Sequence, residues 1–118
     1  MTLKFYEYSG CSTCKKAQKF LDAKHIIYKK IAIRDAPPTR TELKKMLSFN
    51  EGDTKKLFNV SGQDYRRLNI KDKIKTINAT EAIDLLANNG NLIKRPFIID
   101  DTWGAVGFKE DIWQQHFS

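Results

Sequence analysis

The chain has 118 residues, 41% of them apolar and 30% charged, a length that accommodates one domain over residues 1–118 without need of disulfides or a structural metal. Its apolar runs are only a few residues long, far short of the roughly 20 that span a bilayer, and it shows no repeat or low-complexity segment, so no membrane partner is expected. The formal net charge of +7 gathers in residues 1–75, where 18 Lys/Arg face 8 Asp/Glu, but no recognition helix, zinc-finger spacing or aromatic-basic RNA pattern points to direct nucleic-acid binding.

Leu3-Lys4-Phe5-Tyr6-Glu7-Tyr8 has the aromatic, bounded look of a buried first strand. The first residues, Met1 to Tyr6, lack the apolar stretch and cleavage site of a secretory signal, so a cytoplasmic protein is expected. Ser9-Gly10 breaks the strand and a helix follows. Cys14, Ala17, Phe20 and Leu21 fall at three- and four-residue spacings there, with Lys15, Lys16, Lys19 and Asp22 turned outward. After Lys24-His25, the stretches Ile26-Ile27-Tyr28 and Ile31-Ala32-Ile33 predict a second strand, parallel to the first through a right-handed crossover. Pro37-Pro38 closes that unit. Thr39 reads as an N-cap, and Glu42 completes a capping box for a helix over 40–48 with Leu43, Met46 and Leu47 inward.

Short helical pieces are expected around 53–58 and 63–68, separated by Val60-Ser61-Gly62. A longer helix over about 79–88 is stopped by Asn89-Gly90. Phe97-Ile98-Ile99 and Gly104–Phe108 form a hairpin around Asp100-Asp101, and a last helix carries Ile112, Trp113 and Phe117 on its apolar side. The order is βαβ, a helical insert over approximately 39–88, then ββα. This is an α/β chain with a four-stranded mixed sheet in a thioredoxin-like layout.

The chain's two cysteines, Cys11 and Cys14, stand where the first strand passes into the first helix. Unsatisfied N–H groups and the positive end of the helix dipole favour a thiolate at such a place. Cys14 lies one turn deeper on the same face, within reach of a Cys11–Cys14 disulfide. The roles follow: Cys11 attacks and Cys14 resolves, with Ser12 and Thr13 between them at the substrate. Zinc takes four ligands and this pair supplies two. His25 and His116 stand alone and far apart, so no metal is expected. An inert pair packing the helix start is the other reading, and a Cys-x-x-Cys beside a βαβ pattern favours redox over it. Whether the disulfide is a catalytic intermediate or a sensor state does not follow from spacing.

Pro96 immediately precedes the strand at Phe97, the position of a cis-proline loop in a thioredoxin-like fold, although the sequence is equally compatible with a trans bond. Arg95 would then project near Cys11, where a guanidinium stabilises a thiolate or an anionic substrate. Of Arg66 and Arg67 after Tyr65, one is a candidate to face the site or an acidic partner, and the other reading is exposed helix charges that do neither. His25 reads as a solvated turn residue, and Trp103, Phe108 and Trp113 as core. No cofactor is expected beyond an external thiol reductant.

Cys-Ser-Thr-Cys-Lys-Lys-Ala, "FNVSGQDYRRLNIKDKI" (58–74), "NGNLIKRPFIID" (89–100) and "VGFKEDIW" (106–113) together resemble the arsenate reductase-like family. That family includes glutaredoxin-dependent arsenate reductases and Spx-type RNA polymerase-binding regulators. The resemblance implies a thioredoxin-like fold with an inserted helical subdomain and a redox cysteine at Cys11. It also implies glutathione with glutaredoxin, or thioredoxin, as reductant. Arsenate reductases of this kind hold the oxyanion with three arginines. Only Arg95 is matched, and Asn59 and Gly107 stand at the other two positions, which removes most of the case for arsenate. Spx-type regulators share the Cys-x-x-Cys and the arginine, and bind the C-terminal domain of the polymerase α subunit. Gly52 in "NEGDTKK" corresponds to a glycine of their helical part, although they continue into a longer basic tail and differ in the middle segment. The resemblance is strongest to the short members of the family.

Overall fold

The computed structural model describes residues 2–118. Four strands, β1 (Lys4–Glu7), β2 (Lys29–Ala32), β3 (Phe97–Ile99) and β4 (Gly104–Val106), form one sheet in the order β2-β1-β3-β4. β1 and β2 run parallel, and β3 is antiparallel to both β1 and β4. Among the described residues there are six α-helices, α1 (Ser12–Ala23), α2 (Arg40–Phe49), α3 (Gln63–Arg67), α4 (Ile70–Lys73), α5 (Ala79–Asn88) and α6 (Glu110–His116), and short 3-10 turns at Thr54–Leu57 and Gly90–Leu92. None is long and apolar enough to cross a membrane.

Strand alternation explains the layers. Successive side chains point to opposite faces of the sheet. Phe5 and Ile98 therefore pack with Ala17, Leu21 and Trp113 on the side of α1 and α6. Tyr6, Phe97 and Ile99 pack on the other side with Leu43, Met46, Ile83 and Leu86 from α2 and α5. Trp113 is wholly buried, while Trp103 and Phe108 are half-buried against it.

The Thr39–Glu42 capping box is present. Thr39 Oγ1 accepts from Glu42 N–H at 3.1 Å, and Glu42 Oε1 accepts from Thr39 N–H at 3.0 Å. The same carboxylate also takes the Tyr6 hydroxyl at 2.6 Å and the Lys4 ammonium at 3.0 Å, which fastens α2 to β1. Burial pushes the Glu42 carboxyl upward, but the bonds from Tyr6, Thr39 and Lys4 outweigh it and hold the group below the ordinary range. A second capping box, Asn78 with Glu81, opens α5.

Two details depart from the sequence reading. The second strand starts only at Lys29: Ile26–Tyr28 lie outside it, and Ile27 is 92% exposed. The cause is the end of α1, where His25 takes a left-handed φ of 58° in an exposed turn and Ile26 N–H bonds back to Leu21 O. Pairing resumes only when Lys29 N–H reaches Leu3 O at 2.8 Å. The short helix α4 falls in a stretch where no helix was expected. The helix α5 does end at Asn88, before Asn89-Gly90 as expected, and Gly90 is buried at the start of a 3-10 turn over Gly90–Leu92.

Candidate active site

Parallel pairing of β1 with β2, and antiparallel pairing of β1 with β3, bring three chain segments to one end of the sheet. Glu7 pairs with Ala32 and Tyr6 with Phe97. The residues just after β1 (Tyr8 to Cys11), just after β2 (Arg34) and just before β3 (Arg95) thereby become neighbours. The open end of an α/β sheet, beyond the carboxyl ends of its parallel strands, is where such folds build their sites. A cleft of ≈ 660 Å³ lies there, with Cys11, Ser12, Thr13, Arg34, Arg66 and Arg95 on its walls.

Cys11 is the N-cap of α1, its backbone extended at φ −93° and ψ 112°. The turn that delivers it is closed by Cys11 N–H donating to Tyr8 O at 3.0 Å. Its Sγ accepts the N–H of Cys14 at 3.2 Å, so one of the orphan donors of the helix start is spent on the sulfur. Cys11 is half-buried and Cys14 only 2% exposed; both thiols are free. Burial, then the hydrogen bond to Cys11, push the Cys14 thiol up to about 12, against a smaller opposing effect of a backbone bond at Tyr8.

Only a thiolate alkylates at a useful rate. Iodoacetamide under native conditions should therefore label one cysteine per chain, Cys11, up to about pH 10, and Cys14 should follow only near pH 12 or on unfolding. Peptide mapping of the labelled chain checks this. Equal labelling of both thiols at pH 8 would contradict the burial of Cys14.

Arg95 is half-buried. The peptide bond from Arg95 to Pro96 is cis. Pro96 itself is buried behind the cleft, its carbonyl accepting Gly107 N–H at 2.9 Å. The Arg95 guanidinium lies 4.9 Å from the centre of the Tyr8 ring, and its Nη1 is buried without a hydrogen-bond partner among the described residues.

The far wall comes from the helical segment. Asn59 N–H donates to Leu92 O at 2.7 Å and Lys94 N–H to Leu57 O at 2.8 Å, stitching 57–59 to 92–94. That pairing carries Asn59, Ser61, Gly62, Gln63, Asp64 and Arg66 to the cleft. Asp64 accepts from Asn89 at 2.9 Å and from Asn91 at 3.4 Å, and pairs with Arg67 at 3.4 Å. The Asn89 bond in particular keeps its carboxyl below the ordinary range.

Of the residues singled out from the sequence, Cys11, Ser12, Thr13, Arg66 and Arg95 share the cleft with Asn59. Arg67 is exposed beside Asp64. Gly52 is exposed in the turn after α2, with a left-handed φ of 78°, and does not line the cleft. Gly107 likewise has φ 74° and lies against Lys94. Arg34, Asp64 and Asn91 line the cleft without a sequence signal that marks them, and Tyr8 sets its ring against Arg34 without lining the cleft itself. The Arg34 guanidinium sits 3.8 Å from the centre of the Tyr8 ring. Arg34 lies two residues past β2, where the rule that sites form beyond strand carboxyl ends finds it.

A thioredoxin-like sheet with a Cys-x-x-Cys at its first strand-to-helix junction and a cis-proline loop against it defines a class of redox-type proteins. Within that class the chain belongs to the ArsC family, whose family model matches residues 6–116. It is 42% identical to the YusI protein of Bacillus subtilis over 100% of both chains. It is 30% identical over 102 residues to the global transcriptional regulator Spx of Streptococcus mutans, covering 86% of this chain and 73% of that one. Among solved structures, an ArsC family-related protein from Bacteroides fragilis superposes with a TM-score of 0.91 at 40% identity, covering 98% of this chain and 97% of that one.

Proposed function

We propose that the protein is a thiol–disulfide oxidoreductase in which Cys11 attacks a substrate disulfide and Cys14 resolves the mixed disulfide. The observation that carries this reading is the arrangement of the pair. A half-exposed sulfur caps α1 in the cleft and accepts the N–H of a buried second cysteine one turn deeper. Cys11 Sγ bonds to one substrate sulfur and the other leaves as a thiolate. Part of what keeps Cys14 protonated is its hydrogen bond and charge interaction with Cys11. Mixed-disulfide formation removes both, so Cys14 yields its proton to the departing thiolate more readily and attacks Cys11 Sγ. The second substrate sulfur is then released. Arg95 holds the anionic partner, Ser12 and Thr13 border it, and Pro96 sets the loop. An external thiol, of the glutathione–glutaredoxin or thioredoxin type, returns the Cys11–Cys14 disulfide to the dithiol.

The reduction potential of the pair tests the reading. A value between about −180 and −270 mV, measured against a glutathione or dithiothreitol buffer, is expected for a pair that exchanges with cellular thiols. A disulfide poised below about −300 mV would mark a structural bond and overturn it.

A second reading is favoured by the 30% identity with the Streptococcus mutans regulator. In it the Cys11–Cys14 disulfide alters how the basic helical segment, with Gly52, Arg66 and Arg67, meets the C-terminal domain of the RNA polymerase α subunit. Binding to that domain that changes with the redox state would support it. No binding in either state would remove it. Arsenate reduction ranks behind both, because Asn59 and Gly107 stand where two oxyanion-binding arginines are expected, and a charge-assisted contact is worth about 1.5–3 kcal/mol.

A further inference from the structure

The cleft beside Cys11 holds more positive charge than Arg95 accounts for. Arg34, Arg66 and Arg95 all line it, from three separate parts of the chain: the end of β2, α3, and the approach to β3. The carboxylate on its wall, Asp64, is already engaged by Asn89, Asn91 and Arg67. Among the described residues, none of the three cleft arginines is in an ion pair, although Arg40 and Arg67 elsewhere both are. One of their nitrogens, Arg95 Nη1, is buried with no acceptor.

The placement of two of them, Arg34 and Arg95, is built rather than incidental. Tyr8 offers one ring to two guanidiniums, Arg34 at 3.8 Å and Arg95 at 4.9 Å from its centre. Stacking on an aromatic ring orients a guanidinium while leaving its N–H fork available to a planar anion. That fork matches a carboxylate through two parallel bonds. A cleft of ≈ 660 Å³ has the size of a small-molecule site.

We propose that this cleft selects disulfides whose substituents carry carboxylates, with Arg34 and Arg66 joining Arg95 in holding them while Cys11 attacks the sulfur. The inference rests on the thiol–disulfide reading of the same site. The reaction is balanced without another reagent in a single turnover. The Cys11–substrate S–S bond forms as the substrate S–S bond breaks, and the Cys11–Cys14 bond then forms as the mixed disulfide breaks. Two electrons pass from the protein dithiol to the substrate, which leaves as two thiols carrying the two thiol protons.

The test is the rate at which the reduced protein is oxidised by three small disulfides: dianionic dithiodipropionate, neutral hydroxyethyl disulfide and dicationic cystamine. Each rate is divided by the rate of the same disulfide with dithiothreitol, which removes intrinsic reactivity. At low ionic strength the dianion should exceed the neutral disulfide by about tenfold, as expected from two or three partly exposed charge contacts, and the dication should fall below it. The double variant Arg34→Gln/Arg66→Gln should bring the dianion-to-neutral ratio to about two or less. Raising salt to about 0.5 M should compress it in the unaltered protein. A ratio of one or less in the unaltered protein, or a ratio unchanged in the double variant, overturns the selectivity while turnover of the neutral disulfide leaves the oxidoreductase reading standing. Failure to reduce any of the three overturns both.

Discussion

Cys11→Ser should lower disulfide reduction by at least about a thousandfold, whereas Cys14→Ser should stop the cycle after its first step. The difference follows from position. Cys11 is half-exposed on the cleft and receives the Cys14 N–H, so it is the sulfur that a substrate meets. A serine hydroxyl there is not ionised at neutral pH and cannot replace the thiolate. Cys14 is 2% exposed, and burial holds its thiol near 12, so it cannot begin the reaction. With Cys14→Ser the mixed disulfide at Cys11 has no internal attacker and should accumulate, visible in intact-mass spectra as an adduct of one substrate half that dithiothreitol removes. Cys14→Ala serves as a second resolving-site variant in case a buried hydroxyl disturbs the helix start. An adduct on Cys14 in the Cys11→Ser chain, or undiminished turnover in that chain, would reverse or abolish the assignment.

What the sequence disclosed about this site has a common physical character: it was local. The strand-to-helix junction shows in the change of period around Ser9-Gly10, and it alone places Cys11 at a helix start. The capping box shows because Thr39 and Glu42 sit three residues apart and bond each other. Arg95 is legible through the proline beside it. What the sequence concealed depends on contacts across the fold. Ile26-Ile27-Tyr28 has strand composition, yet the left-handed turn at His25 directs that stretch outward, and intrinsic β preference yields to the path the chain must take to reach β1. Arg34 belongs to no local motif, and its partner Tyr8 lies far away in sequence. α4 escaped because four residues hold too little periodicity to register.

The separation also bears on how this chain differs from the arsenate-binding pattern. Asn59, at a position where the family resemblance implies an arginine, lines the cleft and brings no charge to its wall. Gly107 does not line it. Positive charge returns from Arg34, in a loop outside the family motifs, and from Arg66, within the 58–74 segment but at a different position from Asn59. A cleft can thus keep its electrostatic sign while the side chains that supply it change, and with them the shape of the anion it fits.

The backbone that holds Arg34 in place makes a demand of its own at Gly90, and Gly90→Ala should cost about 3 kcal/mol, at the upper end of what overpacking costs. A Cβ on residue 90 would stand 2.1 Å from Ile33 O, 2.9 Å from Ile33 C and 3.2 Å from Arg34 Cα. These are main-chain atoms and cannot turn aside as a side chain would. Nor can their segment recoil freely. Ile33 is wholly buried, and its N–H is bonded to Glu7 O at 2.9 Å, at the end of β1 that leads to Cys11. Displacing residue 90 instead would pull on Asn89 and Asn91, which hold Asp64, and on the run into Arg95. Either movement shifts one cleft arginine against another, so the loss of stability should come with a reduced preference for anionic disulfides. Gly52→Ala is the contrasting case. No atom lies within 4 Å of its Cβ position, and only its φ of 78° opposes a side chain, a cost of about 1 kcal/mol with the cleft undisturbed. Urea denaturation of both variants separates the two mechanisms, because the shift in midpoint at constant slope reports stability alone. A Gly90→Ala protein as stable as its Gly52→Ala counterpart would mean that the Ile33–Arg34 backbone yields to a methyl group, and that Arg34 is not held by the contact described.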